Sequence, residues 1–172
     1  AARRHPFLFR QAIADVVAVG EGETVFPAIL RAIRRGELTN FSTVAWRAAG
    51  GYVWGATEPP PVILAEALPP AEAPLMRPDS AGMAYLETMR GCPMRCTCCR
   101  YHHLRRSVNA LAPEQVAVRI HALAARGARE IKFIDPTFNA HPQFDAVLEQ
   151  IAAANRGGTL KFFAELRAEK LT

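Results

Sequence analysis

No apolar run in the chain approaches the roughly 18 residues needed to cross a bilayer, and no signal-peptide pattern is visible. The expectation is a cytoplasmic protein with no membrane partner. Charge of one sign never accumulates. The net charge of +5 comes from Arg pairs scattered along the chain (Arg3-Arg4, Arg34-Arg35, Arg105-Arg106), which read as solvated surface. No aromatics are interleaved with them to build a nucleic-acid platform, so nucleic acid is not expected as a partner. Dispersed cysteine is also missing, which argues against a disulfide framework and suits a reducing compartment. With 50% hydrophobic and 22% charged residues, the chain has the composition of a globular protein with a real core.

The cysteines that are present number four, all between Cys92 and Cys99. Cys92, Cys96 and Cys99 stand in a C-x3-C-x2-C pattern within Gly91-Cys92-Pro93-Met94-Arg95-Cys96-Thr97-Cys98-Cys99. Thiolate is the soft ligand that iron–sulfur clusters and zinc prefer, and one short loop can aim three thiolates at one centre. Three ligands leave a fourth position open unless a distant residue fills it. Two blander readings stay open on spacing alone. Either His102 or His103 could complete a Cys3His zinc set, and Cys96 with Cys99 forms a C-x-x-C pair that could be a redox dithiol.

Ahead of the loop, Ala14 to Val19 is a short β-branched apolar run, as expected of a parallel strand buried on both faces. The turn Gly20-Glu21-Gly22-Glu23 follows. A helical pattern then places Val25, Ile29 and Ile33 on one stripe, with Gly36 as its stop. Ser42 to Arg47 and Tyr52 to Trp54 flank a glycine turn and read as a hairpin, with Trp46 and Trp54 as packing residues. Between Thr57 and Ser80 stand seven prolines, the composition of a semi-rigid spacer. The expected organisation is therefore 1–40, then a hairpin and Pro-rich linker at 41–80, then 81–172.

In the last segment, Met83 to Thr88 reads as a strand running into the cysteine loop. Pro113 at the first position of a helix, the stripe Val116, Ile120, Leu123 and Ala124, and Gly127 predict the next element. Glu130 to Asp135 is a strand stopped by Pro136. A helix carrying Phe144, Val147, Leu148 and Ile151 closes at Gly157-Gly158, and Thr159 to Glu165 is a third strand. The order β-α-β-α-β predicts parallel pairing with right-handed crossovers, the first half of a (β/α) barrel. In such a barrel the carboxyl ends of the strands carry the chemistry. Cys92, Asp135, Glu165 and Arg167 all fall there. A turn carboxylate before Pro136 is the bland reading of Asp135, and an ion pair is that of Glu165 with Arg167.

The stretches "YLETMRGCPMRCTCC", "IKFIDPTFNAHPQF" and "FFAELRAEKL" resemble the radical S-adenosylmethionine (SAM) superfamily, and "DVVAVGEGETVFPAIL" resembles the end of the cobalamin-binding domain that precedes the radical core in one branch. The fold class implied is α/β: the C-terminal remnant of a Rossmann-like cobalamin-binding domain, then a partial (β/α) barrel, as in a fragment of a longer enzyme. The resemblance implies a [4Fe–4S] cluster on Cys92, Cys96 and Cys99, whose open iron chelates SAM. Reductive cleavage of the sulfonium then generates a 5′-deoxyadenosyl radical. It also implies that Cys98 is the non-ligand thiol, with its backbone near the adenine. Asp135 would accept from the amino group of SAM, Glu165 and Arg167 would reach its ribose or carboxylate, and Gly20, Glu21, Gly22 and Glu23 would lie near cobalamin. Methyl transfer to an unactivated carbon of a small-molecule or peptide substrate is the implied reaction, with a flavodoxin or ferredoxin as electron donor. A cobalamin-independent radical enzyme, such as an RNA methylthiotransferase, and a non-enzymatic zinc module are the alternatives.

Overall fold

The computed structural model describes residues 13–18, 21–37, 44–49, 51–55, 62–67, 77–99, 101 and 107–168. The chain divides into two compact units between Ile63 and Leu64, within the Pro-rich stretch.

The first unit holds β1 (Val16–Ala18), α1 (Gly22–Arg35), β2 (Val44–Ala48) and β3 (Gly51–Trp54). Gly36 ends α1 in the left-handed region at φ 72°, and its N–H reaches back to the carbonyls of Ala32 and Ile33. The buried stripe of the helix is Val25, Ile29 and Ala32, packed on Val44 with Val16 and Trp46 at the edge. Ile33, expected on that stripe, is 50% exposed. Alanine at position 32 sits better on the line of Val25 and Ile29, and helical drift turns Ile33 towards Phe26 and Leu30 on an outer stripe. The side chain of Trp54 lies outside what the structure describes.

The strand expectation for β1 needs correcting. It pairs antiparallel with β2, which pairs antiparallel with β3, and its residues are half-buried or exposed. A short β-branched run reads the same in a buried parallel strand and in a hairpin-edge strand, so the pattern could not decide. The hairpin supplies the neighbour, and it is pinned by the Arg47–Asp15 ion pair and by the Tyr52 hydroxyl donating to the Ala14 carbonyl. Among the described residues the first unit therefore lacks the parallel neighbours on which a Rossmann-like reading rests.

The second unit contains α2 (Leu64–Ala67), β4 (Met83–Leu86), β5 (Met89–Arg90), β6 (Asn109–Ala110), α3 (Pro113–Ala125), β7 (Glu130–Phe133), a 3-10 turn at Phe138–Ala140, α4 (Phe144–Ala154) and β8 (Lys161–Phe163). α2 lies in the stretch read as a spacer. Leu64 is nevertheless part of the core, and the buried Arg119 donates to the Ala65 carbonyl at 3.4 Å.

β4, β7 and β8 form one sheet in that order, parallel throughout, as the β-α-β-α-β pattern predicts. α3 and α4 are the crossovers and pack on each other. Pro113 does open α3, where its missing N–H costs nothing, and the Gln115 side chain accepts the Ala112 N–H at 3.1 Å. Val116, Ile120 and Leu123 bury against Ala84, Leu86, Ile131 and Phe133. α4 contributes Val147 fully and Phe144 and Ile151 partly, whereas Leu148 is exposed. Leu148 is one position past Val147, so the helix turns it about 100° off the buried line.

Parallel strands put their carboxyl ends on one side. The segments that follow Leu86, Phe133 and Phe163 therefore share a rim. Phe138 stacks on Phe133 with centroids 4.5 Å apart and meets Phe144 edge-on at 5.7 Å, which fastens the middle segment of the rim to the core.

Candidate metal centre

The cysteine loop grows from the corner after β4. β5 and β6 pair antiparallel, Met89 with Ala110 and Arg90 with Asn109, and so close the base of the loop. Gly91 stands where the chain leaves this ribbon, at φ 95°. A Cβ there would lie 2.2 Å from the Ser107 carbonyl oxygen, so only glycine fits.

Asp135 lies directly beneath. It is 2% exposed, and its Oδ1 accepts from the Thr88 N–H at 2.7 Å and from the Met89 N–H at 2.9 Å. The Thr88 hydroxyl donates to its Oδ2, and Thr88 is itself fully buried. Burial pushes the Asp135 carboxyl above the ordinary carboxylate range, against the pull of those three donors.

The thiols are all free. Cys92 is buried with its Sγ 3.7 Å from the Thr137 hydroxyl, which also donates to the Pro136 carbonyl. Cys96, Cys98 and Cys99 are exposed. The Cys99 N–H donates to the Cys96 carbonyl at 3.1 Å, and the Arg167 guanidinium lies 3.6 Å from the Cys96 Sγ. The Cys99 Sγ accepts from the Tyr101 N–H at 3.4 Å.

Among the described residues no three His, Cys, Asp or Glu side chains are gathered closely enough to hold a metal ion. The expected convergence of Cys92, Cys96 and Cys99 is thus absent from this arrangement of the loop. In kind, the donor set fits a cluster: three free thiols on one loop, no disulfide, and hydrogen-bond donors facing two of the sulfurs. Thiolates repel one another, and binding of the metal is what makes their convergence favourable, so closing of such a loop is coupled to loading. His102 and His103, the candidates for a zinc set, lie outside the described residues.

The remaining candidates divide. The Arg167 backbone is held on both sides by Asn139, whose Oδ1 accepts the Arg167 N–H at 3.0 Å and whose Nδ2 donates to its carbonyl at 2.8 Å. Glu165 is exposed and offers its carbonyl to the Phe138 N–H at 2.9 Å. In the first unit, Glu21 precedes α1 and accepts the Val62 N–H at 3.0 Å, Gly22 and Glu23 form the first turn, and Gly20 lies outside the described residues.

Thr88, Thr137 and Asn139 escaped the sequence reading because a lone Thr or Asn carries no motif. The same holds for His141, which is 4% exposed. Its Nδ1 accepts the Gln143 N–H at 3.1 Å, so Nε2 carries the hydrogen and faces the Leu111 carbonyl at 3.1 Å.

No family model matches the chain. A curated relative, the tRNA-2-methylthio-N(6)-dimethylallyladenosine synthase of Sorangium cellulosum (strain So ce56), is 31% identical over 75 residues, which is 44% of this chain and 15% of that protein. Two solved structures of TsrM, a radical SAM methyltransferase from Kitasatospora setae, superpose with a TM-score of 0.65 over 86% of this chain. One holds tryptophan substrate and the SAM analogue aza-SAM, at 17% identity; the other holds cobalamin and a [4Fe-4S] cluster, at 16%. This chain spans 32% and 33% of those two chains. What the likeness establishes is the fold: the chain shares the α/β arrangement of a radical SAM methyltransferase.

Proposed function

We propose that this chain is part of a radical SAM enzyme in which Cys92, Cys96 and Cys99 hold a [4Fe–4S] cluster. The observation that carries the reading is the position of three free thiols on the loop at the carboxyl end of β4, in a parallel sheet whose solved likenesses are radical SAM structures. When bound, the cluster supplies the electron that cleaves SAM, and the cofactors carry the hard chemistry while the protein orients them. In this chain Arg167 approaches the Cys96 sulfur from beyond the end of β8, and Arg167 and Glu165 are the proposed partners of the ribose or carboxylate of SAM. Cys98, exposed between Thr97 and Cys99, is the thiol left over, with its backbone assigned to the adenine.

Cobalamin-dependent methyl transfer is the preferred reaction, because TsrM is a methyltransferase solved with cobalamin. Gly20, Glu21, Gly22 and Glu23 are the proposed neighbours of cobalamin, and a flavodoxin or ferredoxin the proposed donor. A second reading is supported by the curated relative: methylthiolation of RNA by a cobalamin-independent enzyme. Anaerobic reconstitution of the full chain followed by incubation with SAM, a reductant and cobalamin separates the readings. Formation of 5′-deoxyadenosine without uptake of cobalamin favours the second, and stoichiometric cobalamin uptake favours the first. A colourless protein that retains zinc and loses it on His102→Ala substitution overturns both.

A further inference from the structure

We infer that Asp135 is a positioning residue for the cysteine loop, acting through the Thr88–Met89 corner, and is not a direct acceptor for the amino group of SAM. The purpose of the role rests on the cluster reading above, whereas its structural basis does not. The ladder between β4 and β7 ends where the Ile134 N–H donates to the Leu86 carbonyl. Beyond it the chain bends into the β5–β6 ribbon, and the amides of Thr88 and Met89 leave the sheet. Buried amides without partners are costly. Asp135 takes both on Oδ1 and the Thr88 hydroxyl on Oδ2, and the Thr88 carbonyl accepts the Leu111 N–H at 2.9 Å. Every polar group of Thr88 is thereby fixed.

Cys92 follows three residues later, across Gly91, so slack at the corner passes directly to the first sulfur. Around the same corner Glu87 and Arg90 form a two-bond ion pair at 2.8 Å. With Asp135 2% exposed and both its oxygens engaged inward, the carboxylate faces the loop's backbone and not the rim's open side. The two roles make different demands. A cofactor ammonium needs the negative charge. The corner needs two acceptor positions on Oδ1 and a partner for the Thr88 hydroxyl, which asparagine supplies through its Oδ1 and Nδ2.

The experiment compares the full chain with D135N, D135A and T88V. Amide hydrogen exchange is followed over residues 87–99 in metal-free protein, iron is counted after anaerobic reconstitution, and SAM itself is titrated as the probe. The inference predicts that D135A speeds exchange at Thr88 and Met89 at least roughly tenfold and lowers iron uptake. T88V falls between D135A and the parent. D135N stays within about threefold of the parent in exchange, iron and SAM affinity. A D135N protein that exchanges and takes up iron like the parent but loses SAM binding overturns the inference. So does unchanged exchange in T88V and, where it folds, in D135A. If the parent takes up no iron, the cluster reading fails while the exchange comparison still decides the corner.

Discussion

At the sulfurs, one later side chain is placed to act on the proposed cluster site. The Arg167 guanidinium faces Cys96 at 3.6 Å, whereas the Thr137 hydroxyl, 3.7 Å from Cys92, spends its hydrogen on the Pro136 carbonyl. Hydrogen bonds to cluster sulfurs stabilise the reduced, more negative state and raise the potential. Arg167→Met is therefore expected to lower the midpoint potential of the reconstituted protein in an EPR-monitored redox titration. An unchanged potential would mean that this donor does not act on the loaded site. Asn139 holds the Arg167 backbone independently of its side chain, so the Met variant keeps the rim.

His141 gives a prediction of a different kind. Burial lowers its pKa below the ordinary histidine value, and only the bond to the Leu111 carbonyl pulls the other way. As pH falls below about 6.5, the unfolded chain takes the proton first. The contribution of neutral His141 is thus present above that pH and lost as pH falls through the lowered native value. The melting temperature should drop between pH 7.5 and 5, and His141→Gln should flatten that drop while costing about 1–3 kcal/mol at neutral pH.

Among the elements, the ribbon and its glycine joint set where the loop starts. Gly91→Ala would place a methyl 2.2 Å from the Ser107 carbonyl oxygen in a left-handed backbone, so the chain must shift. A loss of about 3 kcal/mol is expected in a urea titration, together with reduced iron uptake. A neutral outcome would mean that the ribbon yields freely. The elements of the second unit were legible because helix starts and stops carry local chemistry: Pro113 before α3, Gly127 after it, Pro136 after β7. What stayed hidden is tertiary. No local pattern tells that Asp135 serves a backbone corner 47 residues earlier in sequence, that Leu64 within the proline-rich stretch joins the core, or that β1 finds an antiparallel neighbour.

Across the whole molecule, the parallel order β4-β7-β8 does most to assemble the rim, and the alternation of strand and helix patterns was enough to predict it. The convergence of the three thiols was not legible in the same way, since spacing fixes only which residues share a loop. In the described residues that loop has free thiols without a gathered set. Among the described residues no helix is long and apolar enough to cross a membrane.

The most direct test of the central proposal is the iron and acid-labile sulfide content of the anaerobically reconstituted chain, read beside its EPR spectrum after reduction. The proposal requires roughly four iron and four sulfide per chain, with a cubane signal perturbed by SAM and abolished by a Cys92→Ala, Cys96→Ala or Cys99→Ala change but retained in Cys98→Ala. A chain that binds one zinc, or no metal at all, would contradict it.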